Sequence, residues 1–195
     1  IVSVDRVLEL IKPGNRVFLS SGPAIPALTV KAIVDSVAKN LLDLEVIQLI
    51  TLGDYLPSDA RQTSKYRLKT FNIGESIIHD ISEGKVDFIP ANLMEIPLIL
   101  SSGAVGVDIA VVQTSPPDRR GFLNLGIAID VANIAIKNAD LVIAEINPAV
   151  PVTYGETSIH VKVDKINHYS TGLVADKQAR GKRANPWIML FYPPL

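Results

Sequence analysis

The chain contains no cysteine, which excludes disulfides, thiolate nucleophiles and thiolate metal sites. Its three histidines, His79, His160 and His168, are scattered without metal-ligand spacing, so no bound metal is expected. Neither sign of charge is in excess: 19 Lys and Arg stand against 20 Asp and Glu. That balance lacks the basic footprint of a nucleic-acid binder, and no nucleic-acid partner is expected. No apolar run approaches the roughly 20 residues that span a bilayer, and no basic segment leads into an apolar one at the N-terminus. The expectation is a soluble, cytoplasmic protein with no membrane partner. Internal repeats and low-complexity segments are also lacking.

What is present is a hydrophobic content of 48% with 20% charged residues in 195 positions. A chain of that length buries about 70% of its unfolded surface, enough for one substantial core. Ile1 stands where an initiator methionine would, so the chain is expected to begin inside a longer reading frame or after processing. Val4, Val7, Leu8 and Ile11 have helical spacing, and Pro13-Gly14 ends that helix. A strand over 16–20 and a helix over 26–39 follow, with Pro26 suited to the first turn. Residues 44–50 read as a strand and 51–70 as a polar, irregular surface excursion. Helices over 76–84, with Ile77, Ile78 and Ile81 inward, and over 93–102 flank a strand over 86–90. A strand over 107–112, a helix over 127–138 and a strand over 141–146 complete the alternation. Such a pattern predicts an α/β fold of three layers, a mostly parallel sheet flanked by helices. Residues 152–166 alternate in places and suit an edge strand or hairpin. The last stretch, 176–195, changes character and has no assigned role.

Two loops stand out. Ser20-Ser21-Gly22-Pro23-Ala24-Ile25-Pro26 runs from a strand end into a helix start, where small residues let a ligand approach and helix-terminal amides attract anions or developing oxyanions. It also reads as a plain tight turn. The second loop holds Ser115, Pro116, Pro117, Asp118, Arg119, Arg120, Gly121, Asn124 and Gly126, delivered by a buried strand to the carboxyl edge of the sheet, where open α/β sheets place ligands. Its prolines stiffen the backbone, and its glycines allow conformations other residues avoid. Arg119 and Arg120 suit a carboxylate or phosphate contact and equally a solvated loop. Ser115 lacks a glycine-flanked elbow and a base, so it is not a hydrolase nucleophile. Glu145, near a strand end, suits a nucleophile, a base or a loop-fixing acceptor, the last being favoured. Glu156 and His160 are weaker candidates, and His79 is expected on a helix flank.

Taken in order, Ser21-Gly22-Pro23-Ala24 with Pro26, Val86-Asp87-Phe88-Ile89-Pro90 with Glu95-Ile96-Pro97, Ser115-Pro116-Pro117-Asp118 with Gly121 and Leu125-Gly126, and residues 139–145 with Asn147-Pro148 resemble the N-terminal half of the acetyl-CoA hydrolase/transferase family. Pro151, Gly155 and Ile159-His160-Val161 add to the likeness. The family includes 4-hydroxybutyrate CoA-transferase and acetate or succinate CoA-transferases. The resemblance implies a CoA-transferase-like fold of the NagB/RpiA type, with residues 1–175 as the N-terminal domain and 176–195 as a divergent tail. It implies transfer of CoA between an acyl-CoA and a small carboxylic acid through a glutamyl-CoA intermediate, with acyl-CoA as substrate and no bound cofactor. Gly22, Pro23, Ala24, Ser115, Pro116, Pro117, Gly121, Asn124 and Gly126 are the expected acyl-CoA contacts. The nucleophilic glutamate belongs to a C-terminal half, so no catalytic residue is expected in this chain and that half is an expected partner, within a homo-oligomer. An acyl-CoA hydrolase, or a non-catalytic module binding acyl-CoA or an anion, are the alternatives.

Overall fold

The computed structural model describes residues 4–50, 56, 64–75, 77–155, 158–159, 169–171 and 187–191. An eight-stranded sheet organises them. Six strands run parallel: β1 (Arg16–Leu19), β2 (Leu44–Gln48), β3 (Tyr66–Thr70), β4 (Val86–Phe88), β5 (Ile109–Thr114) and β7 (Leu141–Ile146). Two further strands, β9 (Tyr169–Thr171) and β10 (Trp187–Phe191), extend the sheet antiparallel beyond β7, in the order β4-β3-β2-β1-β5-β7-β10-β9. A separate ribbon pairs β6 (Leu123–Asn124) with β8 (Ser158–Ile159).

Helices cover both faces, as the continuous apolar strands require. On one side α1 (Val4–Leu10), α2 (Ala27–Asp35) and α3 (Ile78–Ser82) pack Val7, Val30, Ile33 and Ile81 against Val17, Leu19, Val46, Leu68, Val111 and Ile143. On the other, α4 (Ile96–Ser101) and α5 (Ala132–Asn138) set Ile96, Leu100, Ala135 and Ile136 against Phe18, Ile47, Ala110, Val112, Val142 and Ala144. The alternation of strand residues between these two lists is the period-two signature of a sheet buried on both sides.

Several elements differ from the sequence reading. Within the stretch expected to be irregular, Tyr66–Thr70 forms β3, an interior strand of the sheet. Its buried Tyr66, Leu68 and Thr70 alternate with Arg67 and Lys69, which pair with Asp87 and Glu45 on the neighbouring strands. Strand β5 reaches Thr114, two residues beyond the expected end, and Ile78 is exposed rather than inward on α3. The helix expected over 127–138 starts only at Ala132: Asp130 adopts φ 31°, and its Oδ1 accepts the Ala132 amide at 3.0 Å. Of the stretch 152–166, Ser158–Ile159 is strand, and residues 156–157 and 160–166 lie outside the described residues. From 176–195, Trp187–Phe191 is the strand β10 paired with β7.

The order of the parallel strands fixes where a ligand can sit. From β1 the chain proceeds outward through β2 and β3 to β4, then returns to the opposite side of β1 as β5. The reversal leaves the carboxyl ends of β1 and β5 side by side, with connections diverging from them, the position at which open α/β sheets place their ligands.

Candidate functional site at the carboxyl edge of the sheet

The two loops singled out in the sequence leave the sheet at this reversal. The first follows β1 and contains a single 3-10 turn, Gly22–Ala24; the second follows β5. Their strands are hydrogen-bonded neighbours, with Leu19 opposite Val111.

Buried polar side chains mark the same edge. Among the described residues they are Ser20, Ser21, Thr29, Gln48, Thr70, Gln113, Thr114, Ser115, Asn124 and Glu145. Each lies at or just past the carboxyl end of a parallel strand, or on a segment held there. Burying a polar group is costly unless it is hydrogen-bonded, so their concentration at one edge requires a network.

That network suspends the first loop. Ser20 Oγ donates to the Ala24 carbonyl (2.6 Å) and accepts the Gln113 amide (3.3 Å), while Ser21 Oγ accepts the amides of Leu49 (3.0 Å) and Ile50 (3.3 Å). Gln113 and Glu145 are register partners on β5 and β7, so their side chains emerge together on one face. Gln113 Nε2 donates to the Ile25 carbonyl at 2.9 Å. Glu145 receives three donors at the amino end of α2: the Leu28 amide on Oε1 (3.2 Å), and the Thr29 amide (2.9 Å) and hydroxyl (3.0 Å) on Oε2. Burial pushes its carboxyl upward, opposed by the Thr29 and Leu28 amides and the Thr29 hydroxyl.

This arrangement alters the expected anion chemistry. The amides of Leu28 and Thr29 are not free for a ligand, because Glu145 already fills the place an anion would take. At 2% exposure and with both oxygens engaged, Glu145 fixes the loop and is not presented to a substrate. The Gly22 amide is different. Among the described residues it has no acceptor, on a half-buried glycine with φ 57° at the start of the turn. Pro23 beside it is exposed and brings no donor, while Ala24 is buried with its amide on the Ser21 carbonyl (3.1 Å).

The second loop is held from within. The Ser115 amide donates to the Asn124 carbonyl (2.8 Å), and the Asp118 amide to the Phe122 carbonyl (2.9 Å). Asp118 Oδ1 accepts the amides of Arg120 (2.8 Å) and Phe122 (2.9 Å); these contacts, Phe122 first, hold the carboxyl below its ordinary value. Gly121, at φ 84°, closes the turn by donating to the Asp118 carbonyl (2.9 Å). Pro116 and Pro117 are half-buried. Arg120 lies 5.2 Å from the Phe122 ring centroid, while Arg119 is exposed. Ser115 is buried, its hydroxyl on the adjacent Pro116 carbonyl (3.2 Å).

Asn124 joins this loop to the segment after β7. Its Nδ2 donates to the Thr153 carbonyl (2.7 Å), and its Oδ1 accepts the Gly126 amide (2.9 Å) and the Thr153 amide (3.2 Å). Thr153 Oγ1 donates onward to the Gly126 carbonyl at 2.8 Å. Gly126 is buried at φ 70°, and a Cβ there would fall 2.3 Å from Val150 Cγ1. Beside this junction Ile127, Val152 and Tyr154 expose apolar surface.

Residues 1–176 match the acetyl-CoA hydrolase/transferase N-terminal domain. The chain belongs to that family. A succinyl-CoA:acetate/propanoyl-CoA:succinate CoA transferase of Fasciola hepatica is 36% identical over 157 residues, covering 80% of this chain and 32% of that protein. The fold is shared with RipA from Yersinia pestis (TM-score 0.72, 21% identity, 82% of this chain, 39% of that one). It is also shared with a 4-hydroxybutyrate CoA-transferase from Porphyromonas gingivalis (TM-score 0.60, 24% identity, 82% and 36%). The chain spans about a third of the length of these relatives. Its architecture is the CoA-transferase-like α/β fold.

Within this family domain, the expected contact residues divide by what their own bonds leave free. Gly22, Pro23, Pro116, Pro117 and Gly121 form surfaces of the two loops, whereas Ala24, Ser115, Asn124 and Gly126 are buried and brace them. Ser20, Ser21 and Gln113 are legible in the sequence only as parts of the loop stretches, with no bracing role assigned, and Thr29 and Thr153 carry no signal at all. A usable signal existed for Gln113: polar residues also end β2, β3 and β5, at Gln48, Thr70 and Thr114. His79 is exposed on α3, 3.4 Å from Glu83. Glu156, His160 and His168 lie outside the described residues. Among the described residues, no group of three His, Asp or Glu is placed to hold a metal ion, and no helix is long and apolar enough to cross a membrane.

Proposed function

We propose that this domain forms the acyl-CoA side of a CoA-transferase site, with a glutamate nucleophile supplied by a second half of the protein. The observation that carries the reading is the meeting of the Gly22 turn and the 115–126 loop at the strand-order reversal, in a chain of this family. The acyl group and pantetheine arm lie between the two loops, and the Gly22 amide, which has no acceptor among the described residues, faces the thioester oxygen as it gains charge. The exposed Ile127, Val152 and Tyr154 give the second half an apolar surface to cover.

The chemistry balances without proton transfer or redox change. A glutamate carboxylate attacks the thioester carbonyl, the C–S bond breaks, and CoA thiolate leaves behind an acyl-glutamyl anhydride. The thiolate attacks the glutamyl carbonyl, releasing the first carboxylic acid as its anion and leaving glutamyl-CoA. An incoming carboxylate opens that thioester to a second anhydride, and the thiolate then takes the new acyl group and frees the glutamate. Glu145 is excluded from the nucleophile's role by its burial and its three donors.

Exchange of labelled acetate into acetyl-CoA by the full-length protein tests the reading. Exchange that is abolished by Gly22→Val supports it; full exchange by that variant contradicts it. The family name covers hydrolysis as well as transfer. Free CoA formed at the same rate with and without added carboxylate would identify water as the acceptor.

A further inference from the structure

The Gly22–Ala24 turn is too short to fix its own geometry. It contributes two bonds of its own, Ala24 amide to Ser21 carbonyl and Ile25 amide to Gly22 carbonyl, at 3.1 and 3.3 Å. Its orientation comes from what grips the chain on either side. Upstream, Ser20 and Ser21 tie it to β5 and to the chain after β2. Downstream, the grip is the adjacent pair Gln113 and Glu145, which hold Ile25, Leu28 and Thr29.

Glu145 is the member of this set with no neutral substitute. Three donors converge on its two oxygens, and a carboxylate meets them all because it is acceptor-only. A carboxamide of the same shape has one oxygen and one NH2 group, so one of its ends opposes a backbone N–H. The segment must then shift to separate the two donors, and the Gly22 amide lies six residues upstream on the same tethered stretch.

We infer that Glu145 is a positioning residue for acyl transfer: by holding the amino end of α2 it keeps the Gly22 amide aligned with the reacting carbonyl. The inference rests on the acyl-CoA reading of the turn. An oxyanion donor acts mainly in the transition state, so misalignment lowers kcat while leaving ground-state binding of acyl-CoA nearly intact.

The test uses the full-length protein with Glu145→Gln, and Thr29→Val as a milder variant that removes only the hydroxyl donor. Steady-state transfer from acetyl-CoA is measured together with amide hydrogen exchange. The expected result is a fall in kcat of about tenfold to a hundredfold for Glu145→Gln, on the scale of a small misplacement of a catalytic group. A smaller fall is expected for Thr29→Val, with KM for acetyl-CoA within about twofold of wild type in both. Exchange at Ala24 and Ile25 should quicken while that of β1 and β5 stays unchanged. A kcat within about twofold of wild type in both variants overturns the inference, whatever the exchange shows. So does a loss expressed only in KM. Should Glu145→Gln fail to fold, Thr29→Val decides by the same criteria. A wild-type protein that transfers no CoA overturns the underlying reading, and the inference with it.

Discussion

Glu145 and Lys65 close helix α2 from opposite ends. The buried carboxylate takes the Leu28 and Thr29 amides at the first turn. At the last turn, Lys65 Nζ donates to the carbonyls of Ile33 (3.1 Å), Val34 (2.6 Å) and Ser36 (2.6 Å). Each charge meets the helix end of opposite partial charge, so both groups stabilise the dipole as well as the unpaired backbone groups. The nine-residue helix is thus fixed along its axis by one residue beside β3 and another on β7.

Replacing Lys65 by Met retains the aliphatic stem and removes the three bonds. The expected loss is about 1–2 kcal/mol of stability, the range for charged groups at partly buried helix ends. Urea unfolding of the two proteins measures it, and an unchanged midpoint at equal slope would count against the capping role.

The opposite edge of the sheet yields a pH prediction. Arg16 grips Asp108 with Nε (3.1 Å), Nη2 and its backbone amide (2.7 Å). The Arg16 side chain, aided by that amide and opposed by burial, holds the Asp108 carboxyl below its ordinary 3.8. In the unfolded chain the carboxyl protonates first as pH falls. The stabilisation is therefore fully present above about pH 4 and is lost as pH drops through the folded value. With the guanidinium partly exposed, Asp108→Asn should cost only about 1 kcal/mol at pH 7. The difference from wild type should shrink below about pH 3. Denaturant unfolding at both pH values tests the sign.

Gly126 couples backbone conformation to packing. In Gly126→Ala the new methyl meets Val150 at 2.3 Å, and the residue must hold φ 70°. We expect a loss of about 2–3 kcal/mol, of which Val150→Ala in the same chain restores the steric part and leaves about 1 kcal/mol of conformational strain. A double-mutant cycle reads the coupling, and strict additivity would show that the two residues do not compete for space.

Asn124→Ala should free the 147–155 segment from the second loop. It leaves the buried Gly126 amide without its acceptor and the Thr153 carbonyl without its donor, for an expected cost of about 2–3 kcal/mol. Limited proteolysis within 147–155 should be faster in the alanine variant than in wild type, and equal rates would contradict the bracing role of Asn124.

Periodicity and turn residues reveal most strands and both loops, because apolar runs ended by Gly and Pro follow from local rules. Strand order is not local. Nothing in residues 16–20 or 107–114 announces that β1 and β5 are neighbours, yet that adjacency makes the two loops one site. Strand β3 is obscured because Arg67 and Lys69, paired with Asp87 and Glu45 on the neighbouring strands, give the stretch a loop's polarity. The amino end of α2 is misleading in a similar way. From sequence its amides look free, whereas a glutamate 117 residues from Leu28 has taken them.

The most direct test of the central claim is amide hydrogen exchange of the full-length protein with and without acetyl-CoA. The account predicts slowed exchange in residues 20–26 and 115–126, with no change around Arg16, Gly106 and Asp108 at the far edge of the sheet. Unchanged exchange in both loops, or protection confined to the Arg16 edge, would contradict the assignment of the acyl-CoA site.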